Sequence, residues 1–438
     1  MAGSWQSWFV GWIRRLGVLR ERDLRLVFGA TAVSEIGDGV VTVAVTFAVL
    51  DLTHSATDIG IVLASRTIAL LASLLVGGVV ADRVSRRRVM ITADLVRFSS
   101  QGLVGVLVVS GHAAVWEIAA SQAVIGAASG FFNPASSALL PAVAGESITE
   151  ANALNGIVSS FGGIVGPAIG GALVVGIGAG SALLVDAASY GTSGLLLFGV
   201  HAAAAREPAL TVDARGSFLA DLRGGLAEVR SRTWLWATMI VMAVCNALAG
   251  AFFVLGPVIA KRHLGGPAAW AALNVAFAVG LLIGGTSLLK IRPRRLLFVA
   301  TFAFLAMFFP PLLIAIPAPL ILIAAFQVMS GVGAMVGNTM WWTVLQQNIP
   351  TEALSRVTSF EWFGTLALMP IGFALAGPVG AALGYGTTLY LCGGLSLLIS
   401  LGLLAIREVR TLETKVEPAT TAPEASVLTT RPAQTTTT

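Results

Sequence analysis

The amino-acid sequence predicts an all-α integral membrane protein, with twelve transmembrane helices arranged as two similar halves of six. Three observations lead to this prediction: the composition, the regular recurrence of apolar segments, and an internal repeat. Of the 438 residues, 56% are hydrophobic and only 11% are charged, whereas a typical soluble domain is about 25% charged. The lipid bilayer is therefore the expected main solvent of this chain.

Apolar segments of about 20 residues recur along the chain, and this length crosses ~30 Å of hydrocarbon at ~1.5 Å rise per residue. Twelve are predicted, at residues 26–50, 58–80, 89–110, 114–140, 154–178, 181–203, 233–256, 268–289, 296–316, 318–343, 357–383 and 387–406. The predicted units are an amphipathic cytoplasmic segment (1–24), a first half (25–203), a cytoplasmic linker (204–232), a second half (233–408) and a disordered cytoplasmic tail (409–438). The Thr-, Pro- and Ala-rich composition of the tail predicts its disorder.

The basic residues predict the orientation of the helices. With the N-terminus in the cytoplasm, 23 of the 27 Lys and Arg residues fall in cytoplasmic segments. Of the other four, Arg66 and Arg97 lie within spans, and Lys261 and Arg262 lie on the outer side. Lys and Arg near span ends favour the cytoplasm, so we expect both termini to lie on the cytoplasmic side. The membrane is expected to be the plasma (inner) membrane of a bacterium. The net charge of +5 is spread over separate short loops, which argues against a nucleic-acid-binding surface.

An internal repeat relates the two predicted halves. Residues 143–151 align with residues 349–357 at an offset of 206, and residues 74–78 (LLVGG) align with residues 281–285 (LLIGG) at an offset of 207. Short identities arise by chance in a chain this rich in Ala, Gly and Leu, but these two offsets agree within one residue. The agreement predicts a duplicated six-helix unit.

The loop between the second and third predicted helices, residues 77–88, reads GGVVADRVSRRR. Its spacing resembles the G-x-x-x-D-R-x-G-R-[RK] signature of the major facilitator superfamily, with Ser85 where the family prefers Gly. The matching residues are Gly78, Asp82, Arg83, Arg86 and Arg87. We interpret them as a conformational latch, because Asp82 can pair with an arginine or face a helix N-terminus in one conformation and separate in the other. The alternative is that the arginines only anchor the loop in the cytoplasm.

The fifth predicted helix contains GGIVGPAIGG at residues 162–171. This run is similar to the G-x-x-x-G-P-x-x-G-G pattern of the antiporter branches of the superfamily. The matching residues are Gly162, Gly166, Pro167, Gly170 and Gly171. Small residues four apart let helices approach closely, and proline bends a helix. We therefore predict a hinge or a tight seal between the halves, with ordinary close packing as the alternative.

Ionisable residues inside predicted spans are functional candidates because they are costly in lipid unless paired or hydrated. Glu35 and Asp38 lie three apart on one face of the first helix, near mid-membrane. Two like charges so close favour a carboxyl group that takes up and releases a proton, so both are candidates for proton coupling. In the alternative interpretation, Arg66 of the second helix neutralises one of them in a static salt bridge.

Four other ionisable residues within predicted spans are candidates for a role. Asp94 and Arg97 are three apart in the third helix and are predicted to form a structural ion pair. Glu361 in the eleventh helix is a further candidate for coupling or substrate binding. Asp186, near the outer end of the sixth helix, is a secondary candidate, and neither Asp186 nor Glu361 has a charged partner nearby in the sequence.

Three further patterns resemble the superfamily branch that includes enterobactin exporters and macrolide efflux proteins: GFFNPA at 130–135, LQQNIP at 345–350 and SRV at 355–357. The resemblance implies the major facilitator fold and a monomeric transporter that exports an amphipathic organic compound, such as a drug, an antibiotic or a siderophore, in exchange for protons or Na⁺. One departure concerns Gln122, which stands where proton-driven drug exporters of the family carry arginine. A proton-coupled importer of a small nutrient and a membrane sensor or scaffold that moves no solute remain as alternatives.

The sequence excludes several other functions. It contains no G-x-x-x-x-G-K-[ST] phosphate-binding loop, so ATP is not an expected partner. Its four histidines are scattered, and both cysteines fall inside predicted spans without the spacing of a metal site. We therefore expect no enzymatic activity, metal or cofactor, and we expect the partners to be a small molecule, the coupling ion and the bilayer.

Overall fold

The computed structural model describes residues 20–201, 226–288, 293–316 and 318–412. Within these ranges twelve helices are long and apolar enough to cross a membrane, which confirms the predicted number. The first half contains α1 (Arg22–Thr53), α2 (Ala56–Arg83), α3 (Arg86–Val109), α4 (Val115–Ala144), α5 (Ile148–Ile177) and α6 (Ala179–Phe198). The second half contains α7 (Thr233–Ile259), α8 (Pro267–Leu288), α9 (Leu296–Ala315), α10 (Leu320–Asn348), α11 (Thr351–Leu366 and Met369–Leu383) and α12 (Tyr385–Leu403), followed by the short α13 (Arg407–Thr411). Most of the predicted N-terminal segment, linker and tail lie outside the described residues.

Two helices of the second half are interrupted, although the sequence predicted them as continuous. In α9, a 3₁₀ turn at Leu305–Phe308 separates two α-helical pieces, and α11 breaks between Leu366 and Met369. Prolines follow both interruptions within the first two positions of the next helical piece. A proline lacks the backbone N–H and disfavours the helical conformation of the residue before it, which explains both breaks.

The repeat between the halves is visible in two glycines. Gly178 precedes α6 with φ 84°, and Gly384 precedes α12 with φ 89°. Both glycines adopt a positive φ, which residues with a Cβ rarely adopt, and they are 206 residues apart. The last helix of each half therefore begins with the same backbone turn, at the offset that the sequence repeat predicted.

The two halves contact each other closely at one face of the bundle. We call this the far face, where α1 ends, and the opposite face, where α1 begins, the near face. A Cβ added to Gly60 of α2 would lie 2.2 Å from the carbonyl oxygen of Phe373 in α11, and one added to Gly377 would lie 2.3 Å from Cα of Thr57. The helices of opposite halves therefore touch backbone to backbone at the far face.

The apolar core extends this contact at the far face and divides toward the near face. One buried cluster joins both halves at the far face and includes Phe47, Val254 and Phe373. The two other clusters each belong to one half: the first contains residues such as Met90, and the second contains residues such as Trp341. The described halves are therefore packed together at the far face and separate toward the near face.

The burial of α1 shows where the space between the halves ends. Every residue of α1 from 43 to 50 is buried, whereas Thr42 is exposed and most residues from 31 to 39 are partly exposed. Because the apolar clusters of the halves are separate toward the near face, we infer that this exposed part of α1 borders a space between the halves that ends beside Thr42, and we call this space the vestibule. Its closed end lies about midway along α1, at the depth where sequence analysis placed Asp38.

Candidate functional site

Asp38 lies one helical turn before Thr42, at the closed end of the vestibule. Its Oδ1 accepts a hydrogen bond from Arg66 Nη2 at 2.7 Å and another from the Tyr190 hydroxyl at 2.9 Å. The side chains of Asp38 and Arg66 are 33% and 27% exposed, so the pair can be reached from the vestibule. This is the contact that the salt-bridge interpretation predicts.

Two glutamines continue this hydrogen-bonded chain into the first half. Arg66 Nη1 donates to Gln122 Oε1 at 3.4 Å, and Gln122 Nε2 donates to Gln101 Oε1 at 3.0 Å. The chain thus runs from α1 through α2 and α4 to α3. An arginine at position 122 would place a second positive charge beside Arg66, so the glutamine at this position fits the presence of Arg66 on α2.

Glu35 has a different neighbour from Asp38. Its Oε1 accepts a hydrogen bond from the Ser159 hydroxyl of α5 at 3.3 Å. A Cβ added to Gly162 would lie 2.6 Å from Cβ of Glu35, which shows how closely α5 covers this position. The two carboxylates of α1 therefore contact different helices, with Glu35 toward α5 and Asp38 toward α2 and α6.

Asp94 and Arg97 contact each other within α3, and both are almost completely buried. The Ser193 hydroxyl donates to Asp94 Oδ2 at 2.7 Å. The guanidinium carbon of Arg97 lies 4.1 Å from the ring centre of Phe132 and 4.5 Å from that of Tyr190. A guanidinium between two rings gains cation–π attraction on both faces, so the pair ties α3 to α4 and α6, as a structural role requires.

Asp186 joins the same region, which the sequence analysis did not foresee. It is completely buried on α6, and a Cβ added to Gly37 of α1 would lie 2.7 Å from its Oδ1. A signal was present in the sequence: Asp186, Tyr190 and Ser193 are spaced four and then three residues apart, on one face of the helix. A polar face on a transmembrane helix indicates an interior network.

Glu361 is separate from this network. It is buried on α11 in the second half, where its Oε1 accepts a hydrogen bond from the Trp341 indole of α10 at 3.1 Å. The structure therefore brings Asp38 and Arg66 into contact, with Glu35 close by on the same helix, and places Glu361 elsewhere. The residues that sequence reasoning missed as partners are Gln101, Gln122, Ser159, Tyr190 and Ser193.

The arginines after α2 make contacts inside the first half. Arg86 Nη1 donates to the Ala138 carbonyl of α4 at 3.0 Å, and Arg87 Nε donates to the Leu197 carbonyl at the end of α6 at 2.9 Å. The Leu197 carbonyl is in the last turn of α6, where a cation satisfies a free carbonyl group, whereas Ala138 lies within α4. The side chains of Asp82 and Arg83, and the environment of Gly78, lie outside the described part of the structure, so the latch stays a prediction.

The glycine motif of α5 packs mainly inside the first half. A Cβ added to Gly166 would lie 2.6 Å from the Ile36 carbonyl oxygen, and Gly162 and Gly170 face α1 in the same way. Only Gly171 approaches the other half, where an added Cβ would lie 2.1 Å from Cβ of Ala271 in α8. In this conformation Gly162, Gly166 and Gly170 therefore pack against α1 of the same half, as the close-packing alternative expects, and the hinge or seal stays a prediction.

Two neighbouring glycines of α5 test this close packing. We expect Gly166→Ala to lower the melting temperature of the purified protein, because overpacking a tight contact costs ~1–3 kcal/mol. Gly163 has nothing within 4 Å of an added Cβ, so Gly163→Ala should leave the melting temperature unchanged or raise it, since alanine favours a helix by ~1 kcal/mol over glycine. Equal melting temperatures for the two variants would contradict the close contact between α1 and α5.

Comparison with known proteins extends over most of the chain. The family model described as Major Facilitator Superfamily matches residues 27–366. The multidrug efflux pump Tap of Mycobacterium tuberculosis is 30% identical over 409 residues, covering 87% of this chain and 92% of Tap. The enterobactin exporter EntS of Escherichia coli is 27% identical over 419 residues, covering 91% of this chain and 96% of EntS. The similarity to both proteins therefore includes both halves.

The fold has solved counterparts as well. The crystal structure of the nucleoside transporter NupG matches with a TM-score of 0.69, covering 87% of this chain and 98% of NupG. Its sequence identity is 14%, so this likeness concerns the fold alone. The twelve-helix arrangement described above therefore has a solved counterpart.

Proposed function

Because this chain belongs to the major facilitator superfamily, we propose that it is a secondary active transporter that exports an amphipathic organic compound, such as a drug, an antibiotic or a siderophore, in exchange for protons. The family assignment makes the chain a multi-pass membrane transporter and not an enzyme. The export direction, the coupling ion and the class of substrate are the proposed part.

The direction of transport is supported by the relatives that match both halves. One is named a multidrug efflux pump and the other an enterobactin exporter. Both names describe movement of an organic compound out of the cell. The α5 motif, which resembles that of antiporter branches, supports the same direction.

The orientation follows from the distribution of positive charge. Because the sequence assigns 23 of the 27 Lys and Arg residues to cytoplasmic segments, we infer that the near face is the cytoplasmic face of the plasma membrane. Both described ends of the chain, near Arg22 and Thr411, lie at this face. The vestibule then opens to the cytoplasm, and the conformation is the one that accepts a compound from inside the cell before alternating access exposes it outside.

The observation that carries the proposed coupling is the contact of Asp38 with Arg66 and Tyr190 at the closed end of the vestibule. When Asp38 takes up a proton, its negative charge is lost and its attraction to Arg66 falls. When the proton leaves to the vestibule, the pair forms again. One carboxyl oxygen gains and loses one proton in each cycle, so the helices α1, α2 and α6 are held together in one protonation state and released in the other.

Inside-out membrane vesicles test this proposal. The vesicles carry a pH gradient with the acidic side in the lumen, and they are incubated with ethidium, erythromycin or enterobactin. Vesicles without the protein serve as the control. We expect uptake of at least one compound that collapses when an uncoupler is added. Uptake that occurs only in right-side-out vesicles with the acid side outside would favour a proton-coupled importer, and no movement of any compound in either orientation would favour a sensor or scaffold.

A further inference from the structure

The carboxyl group of Asp186 is completely buried, and it makes no hydrogen bond with the distance and angle of a regular hydrogen bond. Neither of its oxygens has such a bond among the described residues, and the same holds for the Ser189 hydroxyl, Gln101 Nε2 and Arg97 Nε. The Gln101 amide is close enough to interact with Asp186, but not in the geometry of a regular hydrogen bond. The Ser189 hydroxyl and Asp186 Oδ1 both face Gly37 of α1. Buried polar groups are nearly always hydrogen-bonded, so several unsatisfied groups in one place on α3 and α6 need an explanation.

A protonated carboxyl group explains this arrangement better than an ionised one. An ionised carboxylate that is buried without hydrogen bonds is very costly, and such a group becomes neutral instead. The neutral acid costs far less to bury and carries one O–H donor. The unsatisfied oxygens of Asp186 are therefore compatible with a carboxyl group that holds a proton in this conformation.

The charged and titratable groups around Asp186 belong to four helices. They are Asp38 on α1, Arg66 on α2, Arg97 on α3 and Tyr190 on α6. Arg97 contacts Asp94 through Nη2 and is held between two aromatic rings, so it is fixed in place although its Nε has no hydrogen-bond partner among the described residues. Arg66 is the cation that can change partner, because it is partly exposed and its contact with Asp38 is at the vestibule.

We propose that Asp186 is a second proton-binding site, and that it competes with Asp38 for Arg66. In the present conformation Arg66 pairs with ionised Asp38, and Asp186 holds a proton. When Asp38 takes up a proton from solvent, Arg66 turns to Asp186, and Asp186 releases its proton to solvent. One proton is bound and one is released, so the net charge of the buried network does not change.

This inference rests on the proposed function for its role in transport, but it can be tested without any transported compound. Infrared spectroscopy of the full-length purified protein in detergent detects the carbonyl stretching band of a protonated carboxylic acid. At neutral pH we expect the difference spectrum between wild type and Asp186→Asn to show the loss of one such band. Glu361→Gln serves as the control, because Glu361 lies in the other half, and it should leave the Asp186 band unchanged.

The competition for Arg66 predicts a further result. In Asp38→Asn, Arg66 loses its ionised partner, and an unpaired charge inside a membrane span is costly even when it is partly exposed. Asp186 should then ionise, so its acid band should disappear even though the residue at 186 is unchanged.

If Asp186→Asn is not recovered from the membrane, Asp186→Glu replaces it, and the acid band should shift to the frequency of a glutamic acid.

Two outcomes would overturn the inference. If wild type and Asp186→Asn have the same acid bands, Asp186 is ionised in the folded protein and is not a proton carrier here. If the band persists in Asp38→Asn, the two carboxyl groups do not share Arg66. Failure of vesicle transport with all compounds would count against the proposed function and would leave these spectra as an independent test.

Discussion

Replacing Asp38 with asparagine is expected to abolish uphill efflux while leaving normal amounts of the protein in the membrane. Asparagine keeps the shape of the side chain and can still accept hydrogen bonds from Arg66 and Tyr190, but it cannot titrate. A one-for-one proton exchanger driven by one pH unit can sustain ~10-fold accumulation, because a factor of ten corresponds to ~1.4 kcal/mol. The variant should reach an accumulation ratio of about one in inside-out vesicles.

A double variant distinguishes the two interpretations of the Asp38 and Arg66 pair. If Asp38 only neutralises Arg66, then Asp38→Asn/Arg66→Gln removes both charges together and should restore uphill efflux. If Asp38 carries the coupled proton, the double variant should allow downhill movement of the compound but no accumulation. We expect the second result, and restored accumulation in the double variant would contradict the coupling role of Asp38.

Replacing Gly60 with leucine is expected to stop transport by preventing closure of the far face. A Cβ at position 60 would lie 2.2 Å from the carbonyl oxygen of Phe373, and this oxygen belongs to the backbone and cannot move aside alone. Overpacking of this kind costs ~1–3 kcal/mol or more. The conformation in which the far face is packed shut should therefore lose most of its population.

Labelling of a cysteine at position 46 measures this shift. Thr46 lies one turn beyond Thr42 on the same side of α1 and is 2% exposed, so Thr46→Cys should resist a membrane-impermeant maleimide added at the far face. The same cysteine should be labelled when Gly60→Leu is added, in a background with Cys245 and Cys392 replaced by alanine.

Gly176→Leu is the matched control, because nothing lies within 4 Å of a Cβ at position 176. Equal labelling of both variants would show that the Gly60 contact does not keep the far face closed.

Much of the fold could be predicted because the physical signals are local. The length of each span follows from the thickness of the bilayer, and the repeat placed equivalent elements in both halves. The break in α11 between Leu366 and Met369 was missed, although Pro370 is visible in the sequence. A proline near the middle of an apolar run can bend a membrane helix or divide it, and the sequence alone does not choose between these outcomes.

The site was predictable only in part because its contacts are distant in sequence. Arg66 was named as a possible partner of Asp38 because both are charged groups that lipid cannot solvate. The hydrogen bond from Tyr190 joins residues 152 positions apart, and a tyrosine in an apolar span is usually a packing residue. The contact of Gln122 with Arg66 depends on how α2 and α4 are aligned along their lengths, which no local pattern encodes.

The uneven distribution of charge between the halves has a consequence for protein engineering. Lys261 and Asp51 form an ion pair between the halves at the far ends of their spans. Deeper in the spans, the ionisable groups of the described residues that contact one another belong to the first half, whereas α10 and α11 contribute Glu361 and several aromatic rings. Libraries that aim to change which compound is carried are therefore best directed at α10 and α11. Such variants would leave the proton chemistry of α1, α2 and α6 untouched, so that selection would act on recognition alone.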